Sequence, residues 1–227
     1  MAKILALDTS TDACSVALSL DGVVHEDFRI IPRQHTRALL PMVSELLTAH
    51  GLSVAELDAI AFGRGPGSFA GIRIATGTAQ GLAFAAELPM LPVSTLAAMA
   101  LNIHQQTGAS QVVAALDARM DEVYAGAYRF VNGQLVELMP EQVCTPAQLL
   151  LPEGEYHAAG SGFGYLESMS EALKAQLVAV EPTCYPAAGI MAQLAAADWA
   201  EGKTVAADQA MPVYLRDEVA WKKKDQQ

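Results

Sequence analysis

The residues best placed to do chemistry lie in the run Asp58-Ala-Ile-Ala-Phe-Gly-Arg-Gly-Pro-Gly-Ser-Phe-Ala-Gly-Ile-Arg-Ile-Ala-Thr-Gly-Thr-Ala-Gln-Gly-Leu82. It reads as a short apolar strand, a glycine turn and a helix. Gly63, Gly65 and Gly67 permit positive φ and close backbone approach, while Pro66 stiffens the turn between them. Ser68 is a good N-cap, and the amides after it are unpaired donors at the positive end of a helix. That is the chemistry of an anion cradle. The plainer alternative is a tight strand-to-helix connection in which Gly65, Pro66, Gly67 and Ser68 are structural turn residues, and residue types alone favour it. A Walker loop is excluded, because no Lys-Ser or Lys-Thr pair follows the glycines. The dinucleotide fingerprint is half met by Gly65, Gly67 and Ala70, but Glu87 sits at a helix end rather than closing a second strand.

Other chemistries find less support. His25, His35, His50, His104 and His157 form no helical i, i+4 pair and no His-Glu-x-x-His, so no metal site is expected. Gly67-Ser68-Phe69 lacks the Gly-x-Ser-x-Gly spacing of a nucleophile elbow. Cys14, Cys144 and Cys184 are odd in number and widely spaced, which fits reduced thiols rather than a disulfide framework. A formal net charge of −11 argues against a chain that grips nucleic acid alone. The only basic run is Lys222–Lys224, so any role on RNA needs a basic partner. Hydrophobic residues make up 52%, too many for a disordered chain. Neither a signal peptide nor a membrane-spanning apolar run is present, and the expectation is a soluble cytoplasmic protein.

The elements that must hold these residues can be placed by periodicity. Residues 3–7 read as a buried strand ending at Asp8, followed by strands at 14–20 and 23–30 across an Asp21-Gly22 hairpin turn. Residues 36–49 read as a helix with Leu39, Leu40, Val43, Leu46 and Leu47 on a broad apolar face, ended by Gly51. A strand at 57–62 leads through the glycine turn into a helix from Ala70. In that helix Ala75, Ala79 and Ala83 recur every four positions, as do Gly77 and Gly81. Glycine costs about 1 kcal/mol against alanine in a helix interior, so two of them imply close packing, inside the fold or against a partner. A strand at 90–93 and a helix capped by Ser94 through Gln106 follow. Beyond Thr107-Gly108 the opening returns: a strand at 111–116, an acid at Asp117, then strands at 123–131 and 134–138 across Asn132-Gly133. Strand, acid and hairpin thus occur twice, which suggests a duplicated α/β lobe with lobes at 1–106 and 107–227. Residues 140–155 read as loop with a short helix from Pro146. A strand at 157–160, a helix from Tyr165, a helix at 187–200 and a short segment at 211–215 complete the chain. The last helix either stays with the second lobe or returns to the first.

Gly65-Pro-Gly-Ser-Phe-Ala-Gly-Ile-Arg-Ile-Ala75, Ile4-Leu-Ala-Leu-Asp-Thr-Ser-Thr11, Leu116-Asp-Ala-Arg119 with Glu122-Val-Tyr124, and Pro212-Val-Tyr-Leu-Arg216 together resemble the bacterial TsaB family, also called YeaZ. The blocks run in order along nearly the whole chain. Ala70 departs from the usual Thr, and Ala75 from the usual Gly. The resemblance implies the two-lobed α/β fold of the actin-like ATPases (ASKHA), with the second lobe shortened.

It also implies where nucleotide would sit in that superfamily. Asp8, Thr9, Ser10 and Thr11 fall where a first loop cups phosphate and an acid orients magnesium-bound water. Asp117 and Arg119 fall where a second phosphate loop lies, and Gly160 and Gly162 where an adenosine pocket forms. Ser10 replaces a glycine, and no glycine lies at 117–119, so these are weak nucleotide sites and no tightly bound cofactor is expected of this chain alone. Turn and cap roles for Asp8 and Asp117 remain open alternatives. Thr95 and Met99 stand where the catalytic paralogue, TsaD, carries two metal-binding histidines. The family's role is that of a non-catalytic subunit in forming threonylcarbamoyladenosine (t6A) at position 37 of tRNAs reading codons that begin with adenine. Its partners are TsaD and the ATPase TsaE, with a second copy when TsaD is absent, tRNA reached only through the complex, and ATP and magnesium handled at the level of the complex. The helices at 36–49 and from Ala70 are the implied interface, with His35, Leu39, Met42, Leu46, Arg73, Gly77 and Gln80 as the exposed contact set. The rival readings are a small ASKHA-type ATPase or phosphotransferase using Asp8 and Asp117, a peptidase, and a homodimeric scaffold.

Overall fold

Every residue of the strand β1 (Ile4–Asp8) is buried, as the centre of a sheet covered on both faces requires. The computed structural model describes residues 2–216, so the Lys222–Lys224 run lies outside the described residues. Two antiparallel strands, β2 (Ala13–Leu20) and β3 (Val23–Ile30), continue on one side of β1. After the helix α1 (His35–Ala49), β4 (Ala59–Gly65) pairs parallel on the other side of β1. The helix α2 (Phe69–Ala86) then crosses over to β5 (Met90–Ser94), and the sheet order is β3-β2-β1-β4-β5.

Helix α3 (Thr95–Thr107) leads to a second sheet that repeats this plan. Its central strand β6 (Gln111–Arg119) pairs antiparallel with β7 (Glu122–Val131), which pairs antiparallel with β8 (Gln134–Cys144). On the other side, β9 (Tyr156–Ala159) and β10 (Leu177–Glu181) run parallel to β6, giving the order β10-β9-β6-β7-β8. The repeat therefore extends to all five strands. It is a duplicated two-lobed α/β plan, with a 3-10 helix at Ser161–Ser168 and the short α4 (Glu171–Ala175) where the first lobe has the 18-residue α2.

Side chains alternate across the sheets to define layers. Leu5, Leu7, Val16 and Leu18 pack with Leu39, Met42, Val43 and Leu47 of α1 and Ala75, Ala79 and Ala83 of α2. Ile4, Ala6, Ala17 and Ala61, on the opposite face, meet Ala188, Met191, Ala192 and Ala195 of α5 (Ala188–Ala200). The last helix thus covers the first sheet. Its N-terminus has Ala187 at the cap position, and the first sheet supplies what the cap lacks: Ala188 N donates to Ser15 Oγ at 2.9 Å and Gly189 N donates to Glu26 Oε1 at 2.7 Å. Helix α3 lies between the sheets, with Leu96, Met99 and Ile103 against Val112, Ala114 and Leu116.

Two local expectations need correction, and one further strand left no signal in the sequence. β8 runs through Pro140 to Cys144 instead of stopping before a loop, because as an edge strand it can lose one amide donor without breaking a ladder. The helix expected from Tyr165 is a 3-10 helix beginning at Ser161, followed by α4. β10 carries no clear alternation, since four of its five residues are exposed at the sheet's other edge.

Candidate functional site

Asp8 ends β1 at the point where the chain turns, and the first half of its loop is shut off from water while Asp12, at the far end, is exposed. Asp8 and Thr9 are fully buried and Ser10 nearly so. Asp8 Oδ1 accepts from the Ser10 amide at 3.1 Å and the Ser10 hydroxyl at 2.8 Å, while Oδ2 is buried without a partner. Burial pushes the carboxyl up to about 7 against these hydrogen bonds, which pull the other way.

The glycine turn is built around this loop. Thr9 Oγ1 donates to the Gly71 carbonyl at 2.6 Å, and Ser68 N donates to the Ser10 carbonyl at 2.7 Å. A Cβ on Gly63 would lie 1.9 Å from Asp8 Oδ2, one on Gly67 2.5 Å from the Ser10 carbonyl oxygen, and one on Gly71 2.0 Å from that of Thr9. These glycines let β4 and α2 press against the loop. Ser68 caps α2, its Oγ accepting from Gly71 N at 3.4 Å. Gly65, at φ 99°, turns the chain into Pro66, whose carbonyl accepts from the Thr95 hydroxyl. The Ser10, Ser68 and Gly71 amides and the Ser10 hydroxyl are engaged inside the protein, so they do not form a free cradle for a phosphate. Thr11 Oγ1 accepts from Ala13 N at 3.2 Å as the loop rejoins β2.

The matching acid of the second lobe is equally occupied. Asp117 Oδ1 accepts from the Arg119 amide at 2.7 Å, its Oδ2 meets the Arg119 guanidinium at 3.3 Å, and its own amide donates to Ser161 Oγ at 3.1 Å. Asp117 in turn raises the Tyr165 phenol. Gly160 and Gly162 sit against β6, where added Cβ atoms would lie 2.4 Å from the Ala115 carbonyl oxygen and 2.7 Å from the Ala115 Cβ. Met99 Cε fills the space beside Gly160, and both Met99 and Thr95 are fully buried, one as core and one as a donor to the turn.

The helices at the outer face of the first lobe present a different surface. Arg73 and Gly77 are exposed, but the other proposed contacts are not all available. His35, Leu39 and Met42 are buried, His35 with its Nε2 3.2 Å from the Ala13 carbonyl, because α1 must use that stripe to cover β2. Leu46 is half-buried. Gln80 is engaged within the chain, donating to the Ala207 and Ala210 carbonyls at 3.0 and 2.8 Å. The exposed apolar residues are instead Leu40, Phe69 and Phe84, joined by Met211 and Tyr214 from the C-terminal segment. The alanine row of α2 faces the sheet, whereas Gly77 and Gly81 face outward, with nothing within 4 Å of an added Cβ. The i, i+4 spacing revealed both rows, but both are small enough for either direction. Tyr214 was missed because its partners, Phe69 and Arg73, are remote in sequence.

Among the described residues, no group of three or more His, Cys, Asp or Glu is placed to hold a metal, and no helix is long and apolar enough to cross a membrane.

A duplicated two-lobed α/β fold with both loop acids held in internal hydrogen bonds defines the class of protein. The family profile of TsaD, tRNA N6-adenosine threonylcarbamoyltransferase, matches residues 19–224. The chain is 47% identical to the tRNA threonylcarbamoyladenosine biosynthesis protein TsaB of Escherichia coli, over 97% of each. It is 42% identical to TsaB of Haemophilus influenzae over 97% of this chain and 96% of that one. The solved structure of YeaZ from Pseudomonas aeruginosa superposes with a TM-score of 0.90 at 46% identity, covering 95% of this chain and all of that one. The chain belongs to the TsaB (YeaZ) family of tRNA threonylcarbamoyladenosine biosynthesis proteins.

Proposed function

We propose that this chain is the non-catalytic partner subunit of the machinery that forms threonylcarbamoyladenosine at position 37 of tRNAs reading codons that begin with adenine. It acts by binding and supporting TsaD, with the ATPase TsaE docking on the pair, and ATP and magnesium are handled at sites the partners supply. The observation that carries the reading is the contrast between the two faces of α2. Its inner end packs on the Asp8 loop, where the Ser68 amide and the Thr9 hydroxyl are spent on contacts within the chain. Its outer face leaves two glycines open to a neighbouring backbone. Each of those glycines costs about 1 kcal/mol of helix stability, with no internal contact to offset it. An acidic chain, with net charge −11, fits a subunit that meets tRNA through its complex.

The test is mass spectrometry of tRNA nucleosides from cells depleted of this protein and rescued with wild type or Gly77→Leu. The modification is expected to fall on depletion, to return with wild type and to stay low with Gly77→Leu. Unchanged modification in depleted cells overturns the reading. ATP turnover by the pure chain that is lost in Asp8→Ala would install the ATPase alternative in its place.

A further inference from the structure

Arg73 is the most deliberately held cation on the outer face of α2. Its Cζ lies 3.8 Å above the Phe69 ring and 5.5 Å from the Tyr214 ring, and its Nε donates to Tyr214 Oη at 2.9 Å. The two rings contact each other at 5.9 Å between centroids, so the clip is continuous. Phe69 and Tyr214 stay 53% and 41% exposed, so the clip leaves apolar ring surface open on this face. Other arginines that the fold fixes in place meet a carboxylate: Arg29 with Asp27 and Glu45, Arg64 with Glu141, Arg119 with Asp117 and Arg216 with Glu122. Arg73 is fixed as firmly and, among the described residues, meets none.

The consequence appears when a second helix closes over Gly77 and Gly81. Arg73 lies one turn from Gly77, so its charge loses water in the same step. A desolvated guanidinium without an acceptor is strongly unfavourable, whereas a carboxylate on its two free Nη groups forms a bidentate, charge-assisted pair. On a second copy, the outer face of α2 itself holds no acid between Phe69 and Ala86. The exposed outer positions of α2 are Phe69, Ala70, Arg73, Gly77, Gly81, Phe84 and Ala85, and Glu87 lies past the last turn. The nearest acid of α1, Glu45, is already held by Arg29 at 3.0 Å.

We propose that Arg73, preset by Phe69 and Tyr214, is the anchor that recognises an acidic side chain on a helix of a different protein docked along the outer face of α2. The proposal rests on the partner-subunit reading and adds its chemistry. The partner carries a small-residue helix face with an Asp or Glu opposite Arg73, and the segment bearing Tyr214 belongs to the interface. The stacked, planar guanidinium matters as well as the charge, so lysine is a poor substitute.

The test is calorimetric titration of the full chain with purified TsaD from the same organism at two salt concentrations. Arg73→Met is expected to weaken binding ~30–100-fold and to flatten the salt dependence. Arg73→Lys should weaken it ~10-fold and Tyr214→Phe ~3–10-fold, with unfolding midpoints unchanged. Arg73→Glu should abolish binding, and reversing one helical acid of TsaD to Arg should restore it. If Gly77→Leu abolishes binding while Arg73→Met stays within twofold of wild type, the face is the interface and the anchor is wrong. If neither changes binding, the face itself is wrong and the anchor falls with it. Sedimentation of the chain alone supplies the last arm, because Arg73→Met should not weaken self-association. A loss there equal to the loss with TsaD would make a second copy the occupant and overturn the proposal.

Discussion

Asp8 combines full burial with one carboxylate oxygen that has no partner, a combination tolerated in a folded protein chiefly when the group can take up a proton. Its carboxyl is raised from an ordinary 3.8 to about 7. Below pH 4 the folded and unfolded chains both hold the proton, and Asp8 exacts no penalty. Between pH 4 and 7 the unfolded chain ionises first, so stability falls as pH rises, and above pH 7 the loss is constant. At about 1.4 kcal/mol per unit the full swing is on the order of 4 kcal/mol. An asparagine in its place would keep the acceptor for Ser10 and remove the charge. Asp8→Asn is therefore expected to gain on wild type by roughly 3–4 kcal/mol between pH 4 and pH 8, read from urea unfolding at the two values. Parallel pH profiles would mean that Asp8 ionises freely in the folded chain. The position of Asp8 after an apolar strand was legible in the sequence. That Asp8, Thr9 and Ser10 are buried was not, because the Gly71 carbonyl that takes the Thr9 hydroxyl lies 62 residues away.

At the scale of the element, α2 serves two masters along one length. Gly71 touches the Thr9 carbonyl and Gly77 touches nothing, so the same substitution has opposite outcomes at the two positions. Gly71→Ala places a methyl inside backbone that cannot retreat and is expected to cost about 3 kcal/mol or more. Gly77→Ala relieves a glycine in a helix interior and is expected to stabilise the isolated chain by about 0.5–1 kcal/mol. If α2 is the docking face, that same alanine should weaken TsaD binding, so thermal melts and titrations of the variant should move in opposite senses. A Gly77→Ala chain that gains stability and binds unchanged would mean that no backbone approaches there. The two four-residue rows of this helix were legible, but their directions were not, since the sheet accepts alanine and glycine alike. The same limit misassigned α1. Leu39 and Leu40 both fit a broad apolar stripe, yet Leu39 packs in the core and Leu40 is 53% exposed. Consecutive leucines point about 100° apart on a helix, and only the sheet beneath decides which one it needs.

At the scale of the molecule, the chain repeats one five-strand plan and then ties the copies together. Strand, acid and hairpin announced the duplication in the sequence, because turns such as Asn132-Gly133 carry strong local signals. The ties carried no signal of that kind. Helix α5 comes from the second half yet covers the first sheet, and the C-terminal segment follows the first lobe, with Val213 N donating to the Arg64 carbonyl at 2.8 Å. Arg216 then reaches the second lobe, bonding Glu122 and the Ala118 carbonyl. The tightest tie is Glu141 of β8, whose side chain is 7% exposed. It pairs with Arg64 of β4 at 3.1 Å and accepts from Ser94 Oγ and from the Tyr128 hydroxyl, whose acidity burial and this carboxylate both suppress. Three donors from both lobes thus converge on one carboxylate, and removing its charge leaves the Arg64 guanidinium undercompensated at the junction. Glu141→Gln is expected to cost about 2–3 kcal/mol, whereas Arg64→Met combined with Glu141→Leu should recover much of that loss, since a matched apolar pair leaves no buried charge behind. Urea unfolding of Arg64→Met, Glu141→Leu and the double variant closes the cycle. Single variants whose costs simply add would mean that Arg64 and Glu141 act independently, and the lobes would then be held by α3, α5 and the C-terminal segment alone.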